Sequence, residues 1–263
     1  MINVEHVSWQ VRGKAIVQDV SFTVRPGQVT VILGPNGAGK SSLLGLVSGL
    51  IRPTSGQIWL EEQPLARLTP AKLAEYRAVV EQHPAAPVGW TTAELIQQGA
   101  LAGGHAPASV TDRAMALTCT TELAEQSVQT LSGGERQRAH IARALCQLLA
   151  SPQSQRYLLL DEPTAALDFA MADGLLAQVA RLSRQLQIGI LAVVHDLNLA
   201  LRYADEVLLM HKGRAVGVGP TADIMQKQRL EAIYGMQLAE LHSPDGKLRA
   251  FLPATGTEPL AAH

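Results

Sequence analysis

Residues 29–41 read Val-Thr-Val-Ile-Leu-Gly-Pro-Asn-Gly-Ala-Gly-Lys-Ser. A continuous apolar run of strand length is expected of a strand covered on both faces. The run passes directly into a glycine-rich turn, and Leu43, Leu44, Leu46 and Val47 then recur at helical spacing until Gly49. Gly34, Pro35, Asn36, Gly37, Ala38, Gly39, Lys40 and Ser41 fit G-x-x-x-x-G-K-[ST], with Ser42 next in line. The chemistry needs this order. Glycines let successive backbone amides point inward at phosphate oxygens, Lys40 adds a point charge, and the helix N-terminus adds its dipole. Ser41 offers a hydroxyl to Mg²⁺ beside the bound nucleotide. An ordinary strand-to-helix turn needs no such combination. The phosphates of a nucleotide and Mg²⁺ are the expected ligands of the loop.

The remaining chain is read around that unit. The first eighty residues read as short strands apart from the helix after the glycine-rich turn: Ile2–Trp9 and Val17–Val24 are strand-like, Arg25-Pro26-Gly27 is a turn, and Gln57–Leu60 is another short strand. From His83 to about Leu149 the texture becomes helical, rich in Ala, Leu and Gln, with Pro84, Pro87, Gly103, Gly104 and Pro107 as punctuation. Ala106–Val110 gives little sense of a packed helix. Ser151–Gln155 is a polar linker. Strand Tyr157–Leu160, a helix over Ala170–Gln187, strand Ile188–Val194 and a helix over Leu197–Tyr203 then alternate, which implies a parallel sheet. Two hairpin patterns close the chain, Glu206–Met210 with Arg214–Val218 and Ala239–His242 with Lys247–Leu252. The expected fold is α/β: a mostly parallel nucleotide-binding core (1–82 and 155–240), an antiparallel N-terminal β subdomain, a helical insertion (83–154) and a hairpin tail (241–263).

Two further segments carry chemistry. Tyr157-Leu158-Leu159-Leu160-Asp161-Glu162 is a buried strand ending in paired acids. Asp161 is placed to hold Mg²⁺ with Ser41, and Glu162, one residue farther, to accept a proton from an attacking water or to orient it. Leu131-Ser132-Gly133-Gly134-Glu135 reads locally as a capping box, Ser132 at the N-cap and Glu135 at N3, opening a helix through Leu149. A cap does not explain two consecutive glycines, which cost about 1 kcal/mol each in a helix relative to Ala. They allow close backbone approach beside a serine hydroxyl at a helix N-terminus, which is an anion site.

With this segment the chain resembles the ATP-binding-cassette (ABC) ATPases, whose signature is LSGGE or LSGGQ, and the motifs stand in family order along nearly the whole chain. The resemblance implies roles for further residues. Gln82 matches the glutamine that contacts Mg²⁺ and the attacking water, and His195 the switch histidine at the γ-phosphate. Asp168 matches the acid of the loop that crosses to a partner subunit, although Ala165 stands where the family's commoner spelling has Ser. Trp9 is the candidate for stacking on adenine. The family also implies a head-to-tail homodimer in which Ser132, Gly133, Gly134 and Glu135 of one copy complete the nucleotide site of the other.

The subgroup follows from smaller signs. A single cassette, with roughly fifty residues between Gln82 and Leu131, resembles a transporter subunit more than coiled-coil repair proteins or two-cassette translation factors. His195-Asp196-Leu197-Asn198-Leu199-Ala200, the Ser151–Gln155 linker and Ile233-Tyr234-Gly235-Met236 are similar to importers of haem, ferric siderophores and cobalamin. That similarity implies two transmembrane permease subunits, a periplasmic haem-binding protein acting through them, and a peripheral position on the cytoplasmic side of the inner membrane. The stretch Gly103–Thr130 is shorter and less regular than the family's usual helical filling, which bears on where the permease would dock. Lys plus Arg (22) offsets Asp plus Glu (23), so the broad basic footprint of a nucleic-acid binder is missing. Although 47% of residues are hydrophobic, no apolar run reaches the ~18–20 residues of a membrane span. The first nine residues lack a basic-then-apolar leader pattern. Cys119 and Cys146 have no metal-ligand spacing and are expected as unpaired thiols. His83, His105 and His140 are expected as loop or helix-surface residues. The alternative from another class is a non-transport ABC ATPase acting on nucleic acid or ribosomes.

Overall fold

In the computed structural model, five parallel strands point their carboxyl ends to one edge of a six-stranded sheet, and the loops leaving that edge carry most of the residues singled out above. The structure describes residues 1–254 apart from 86, 104–106 and 247. In chain order the elements are β1 (Ile2–Val11), β2 (Lys14–Val24), β3 (Val29–Leu33), α1 (Lys40–Ser48), β4 (Ser55–Leu60), β5 (Gln63–Pro64), α2 (Pro70–Tyr76) and β6 (Arg77–Val80). The helices α3 (Thr92–Gly103), α4 (Ala108–Thr118) and α5 (Gly133–Ala150) follow, then β7 (Arg156–Asp161), α6 (Phe169–Leu186), β8 (Ile188–Val193) and α7 (Leu197–Tyr203). The chain continues through β9 (Glu206–His211), β10 (Arg214–Pro220), α8 (Thr221–Ile224), α9 (Lys227–Tyr234), β11 (Leu238–His242) and β12 (Arg249–Pro253).

The large sheet has the order β10-β9-β3-β8-β7-β6, with only β10 antiparallel to its neighbour. Its strands alternate faces as the period of two requires. Val29, Val31, Leu33, Leu158, Leu160 and Ile190 turn to a core shared with Leu175, Leu176 and Val179 of α6. Ile32, Leu159, Leu191 and Val193 turn to a second core with Leu43, Leu46 and Val47 of α1 and with the antiparallel sheet β2-β1-β4-β5. Burying one such side chain contributes about 1.5–3 kcal/mol, whereas an exposed ion pair contributes about 0–1. The edge that carries the site is therefore held by packing on both faces of the sheet.

Three sequence expectations are revised here. Beyond Ala106, which lies outside the described residues, the chain forms α4, a packed helix. Its buried face is Thr111, Ala114, Met115 and Thr118, which meet Ile96, Ala100, Ala142 and Cys146. This stripe contains small and polar-looking residues rather than leucines, so hydrophobicity hides it. The Thr118 hydroxyl is satisfied by donating to the Ala114 carbonyl at 2.8 Å. His140 is the second revision: it is 2% exposed, because α5 is covered on several sides and its far half joins the main core through Ile141, Ala144, Leu145 and Leu148. His83 is exposed as expected, and His105 lies outside the described residues. Third, α2 and β6 precede Gln82. Thr69 caps α2 by accepting from the Lys72 amide, and Pro70 fills its first position, a start signal that the residues do carry. Cys119 is exposed and Cys146 buried, both as free thiols.

Candidate nucleotide site

The loop after β3 needs its glycines for space as well as for backbone angle. Gly34 and Gly39 have φ of +147° and +95°, and an added Cβ would stand 2.2 Å from the Met210 carbonyl oxygen and 2.6 Å from that of Ile16. Helix α1 starts at Lys40 with no side-chain cap, which leaves its first amides for an anion. Lys40 Nζ folds back over the loop and donates to the carbonyls of Gly34 (2.8 Å) and Pro35 (3.0 Å). Burial lowers the pKa of this ammonium, and the charges of Glu162 and Asp161 work against that shift. A cation held in a dehydrated loop facing two acids is poised for phosphate oxygens.

Strand β7 ends at Asp161, whose Oδ1 accepts from the Ser41 hydroxyl at 2.9 Å. Burial raises the Asp161 pKa; Ser41 lowers it, the neighbouring Glu162 raises it, and His195 and Lys40 lower it. Glu162 follows with a φ of +47°, a backbone region that non-glycine residues occupy at a cost of about 1–3 kcal/mol and that clusters at active sites. Its two carboxylate oxygens have separate partners. Gln82 Nε2 donates to Oε2 at 2.6 Å, and His195 Nε2 lies 2.6 Å from Oε1. Gln82 stands just beyond β6, and β6 is tied to α5 through Gln147, whose Nε2 donates to the carbonyls of Ala74 and Arg77 at 2.8 and 2.9 Å. His195 stands just beyond β8, and Asp196 caps α7 directly after it. The loop, Asp161, Glu162, Gln82 and His195 are thus assembled from the carboxyl ends of four neighbouring parallel strands, where open α/β sheets hold ligands.

The signature residues form a separate unit. Ser132 caps α5, accepting from the Glu135 amide at 3.4 Å, while Glu135 Oε2 accepts from the Ser132 amide (2.9 Å) and hydroxyl (2.6 Å). Gly133 and Gly134 are the first helical residues, and a Cβ on Gly134 would meet Met171 Sδ at 2.9 Å. Among the described residues no hydrogen bond joins this unit to the cluster around Glu162. Asp168 caps α6, its Oδ1 accepting from the Met171 amide at 2.8 Å. Trp9 is half-buried and packs on the second core. Sequence reasoning assigned no task to Asp196 or Asn198, although an acid immediately before an apolar helix is a cap signal.

The donor set fits Mg²⁺. The Ser41 hydroxyl, the Asp161 carboxylate and the Gln82 amide oxygen are hard ligands, and Asp161 and Glu162 form a partly dehydrated, mutually repelling pair that a cation would neutralise. Among the described residues no group of three or more His, Cys, Asp or Glu side chains is arranged to hold a metal unaided. Mg²⁺ commonly takes one or two protein carboxylates and completes its octahedron with water and phosphate.

Residues 17–165 match the family model described as ABC transporter. The chain is 39% identical to the hemin import ATP-binding protein HmuV of Burkholderia pseudomallei, over 97% of its own length and all of that relative's. It is 36% identical to the protein of the same name from Escherichia coli O157:H7, over 93% of this chain and 96% of the relative. Among solved structures, one assigned to a metal-chelate type ABC transporter in an inward-facing conformation superposes with a TM-score of 0.81 at 25% identity, covering 96% of this chain and 97% of that one. An ATP-binding subunit of another ABC transporter superposes at 0.74 with 26% identity, over 90% and 95% of the two chains. With the loop, the paired acids and the signature helix placed on this fold, the chain is a member of the ABC transporter family, as one of its ATP-binding cassettes.

Proposed function

We propose that this chain is the ATP-hydrolysing subunit of a haem importer, working as a homodimer on the cytoplasmic face of the inner membrane beneath two permease subunits that receive haem from a periplasmic binding protein. The observation that carries this reading is similarity along 97% of the chain to a hemin import ATP-binding protein. Among the described residues no helix is long and apolar enough to cross a membrane. The cargo is chosen by the permease and binding protein, so no residue here need touch haem.

The loop amides of Gly34–Ser41 and the Lys40 ammonium hold the phosphates, Ser42 extends that cradle, and Trp9 stacks on adenine. Ser41, Asp161 and Gln82 hold Mg²⁺, which when bound neutralises phosphate charge. Glu162 takes the proton of the attacking water, while Gln82 and His195 fix its carboxylate and His195 contacts the γ-phosphate. Ser132, Gly133 and Gly134 of the second copy donate to the same γ-phosphate, with Glu135 setting the Ser132 hydroxyl and Asp168 in the loop between the copies. Charge-assisted hydrogen bonds contribute about 1.5–3 kcal/mol each, so ATP binds the two copies together and hydrolysis releases them.

The test is reconstitution. The chain is combined in lipid vesicles with candidate permease subunits from the same organism and supplied with binding protein loaded with haem, a ferric siderophore or cobalamin. ATP hydrolysis and uptake stimulated by the haem-loaded protein alone are expected. Stimulation by either of the other two cargoes refutes the haem assignment. Recovery of the chain from cells with ribosomes or DNA, and with no membrane subunit, refutes the transport reading.

A further inference from the structure

His195 is followed by a helix of only two turns, α7. So short a helix does not hold itself in water, and the direction of the imidazole at its entrance therefore depends on what α7 is tied to. Leu199 and Ala200 pack into the main core, and among the described residues three sets of side-chain hydrogen bonds made by residues 196–203 add to that packing. Asp196 Oδ1 accepts from the amides of Asn198 (2.7 Å) and Leu199 (3.0 Å). At the far end, Arg202 Nη1 and Tyr203 Oη both donate to Asp173 Oδ1 on α6, at 2.6 and 2.8 Å. Between them the Asn198 carboxamide clasps one residue of β12 from both sides: Nδ2 donates to the Phe251 carbonyl at 3.0 Å, and Oδ1 accepts from the Phe251 amide at 2.8 Å.

This tie reaches farthest along the chain and is the most demanding chemically. A planar carboxamide supplies donor and acceptor together, so it pairs with a backbone as an adjoining strand would. Phe251 is 3% exposed and sits in the main core with Leu199 and Ala200 of α7. The hairpin of β11 and β12 is therefore anchored to the body of the protein and serves α7 as a fixed wall.

We propose that Asn198 is a positioning residue for His195: by clasping Phe251 it makes the C-terminal hairpin the lateral support of the helix whose entrance sets the imidazole against Glu162. The inference rests on the role given to His195 above. It assigns Asn198 no contact with nucleotide, and it gives the hairpin a task in hydrolysis.

Steady-state ATP hydrolysis and thermal unfolding of the full chain test this in Asn198→Ala, Asn198→Asp, His195→Ala and the two double variants. Asn198→Ala is expected to lower kcat about 5- to 20-fold, the scale of a sub-ångström misplacement, with the KM for ATP within about twofold. Asn198→Asp keeps the acceptor for the Phe251 amide but sets a carboxylate oxygen against the Phe251 carbonyl, so it is expected to lower kcat as well. On the His195→Ala background neither change is expected to cost anything further. Wild-type kcat in Asn198→Ala, a KM that rises in step, or the same fold-loss with His195 already removed would overturn the proposal. If Asn198→Ala does not fold, the aspartate variant carries the same comparison. Full activity in His195→Ala alone refutes the role of His195 itself, a result distinguishable from a failure at Asn198.

Discussion

His195 Nε2 stands 2.6 Å from Glu162 Oε1 while Gln82 Nε2 stands 2.6 Å from Oε2 of the same carboxylate. One group is thus oriented from two strands, and its backbone sits in the left-handed region at a φ of +47°. Such a carboxylate keeps its direction whether or not it keeps its basicity. Glu162→Gln preserves shape and removes the proposed base, so hydrolysis should fall by about 10²- to 10⁴-fold while ATP affinity changes little. An ATP-bound dimer should then accumulate on size exclusion. Near-normal turnover in this variant would remove Glu162 from the chemistry.

Lys40 offers a second test because its ammonium is nearly buried and held by two loop carbonyls. Loss of one charge-assisted hydrogen bond to phosphate costs about 1.5–3 kcal/mol, which is about a 10- to 150-fold weaker complex. Calorimetric titration of Lys40→Ala with ATP should show at least that loss. Equal affinity in the two proteins would contradict the assignment of the loop.

The order of strands and loops was legible because β3, β7 and β8 are apolar on both faces and punctuated by glycine or acid. The positions of the glycine-rich loop and of the paired acids at a strand end were legible for a different reason, since such motifs restrict both residue type and spacing. What escaped was structure set by tertiary contact. Helix α4 buries Thr111 and Thr118, whose polarity reads as exposure until their hydroxyl partners are seen. His140 looks like a surface residue in sequence, yet α5 is enclosed between the main core and the helices α3 and α4. The pairing of Asn198 with Phe251 spans 53 positions, and no local pattern announces it.

Asp161 should show a conflict between stability and function. Burial and Glu162 hold its carboxyl above the usual carboxylate range, against the pull of Ser41. A raised pKa means that the fold binds the proton better than the unfolded chain does. The resulting stabilisation is complete below the unfolded value of 3.8 and is lost as pH rises through the folded one. At pH 7 the ionised group is therefore a cost. Asp161→Asn keeps an oxygen for the Ser41 hydroxyl and removes the charge, so the nucleotide-free protein should melt about 2–4 °C higher for each kcal/mol relieved. The gain should shrink in acid, and Mg²⁺-dependent hydrolysis should fall. A lower melting temperature at pH 7 would refute the electrostatic account.

His140 makes the opposite prediction on the acid side. Both ring nitrogens lack a hydrogen-bond partner among the described residues, and burial, with Arg143 and Arg136 nearby, pushes the imidazole down to about 4. The fold keeps this group neutral, whereas the unfolded chain protonates it near 6.5. Its contribution is therefore intact above pH 6.5 and is lost progressively as pH falls from 6.5 through 4. Between pH 7.5 and pH 5 that loss is on the order of 1–2 kcal/mol. His140→Leu fills the same space without a titrating group, so urea unfolding at the two pH values should show a smaller acid loss in the variant by that amount. The leucine should also match or exceed the wild-type stability at pH 7.5, because it removes two unpartnered nitrogens. Identical acid losses in the two proteins would mean that His140 is solvated or charged in the fold, contrary to its enclosure in α5.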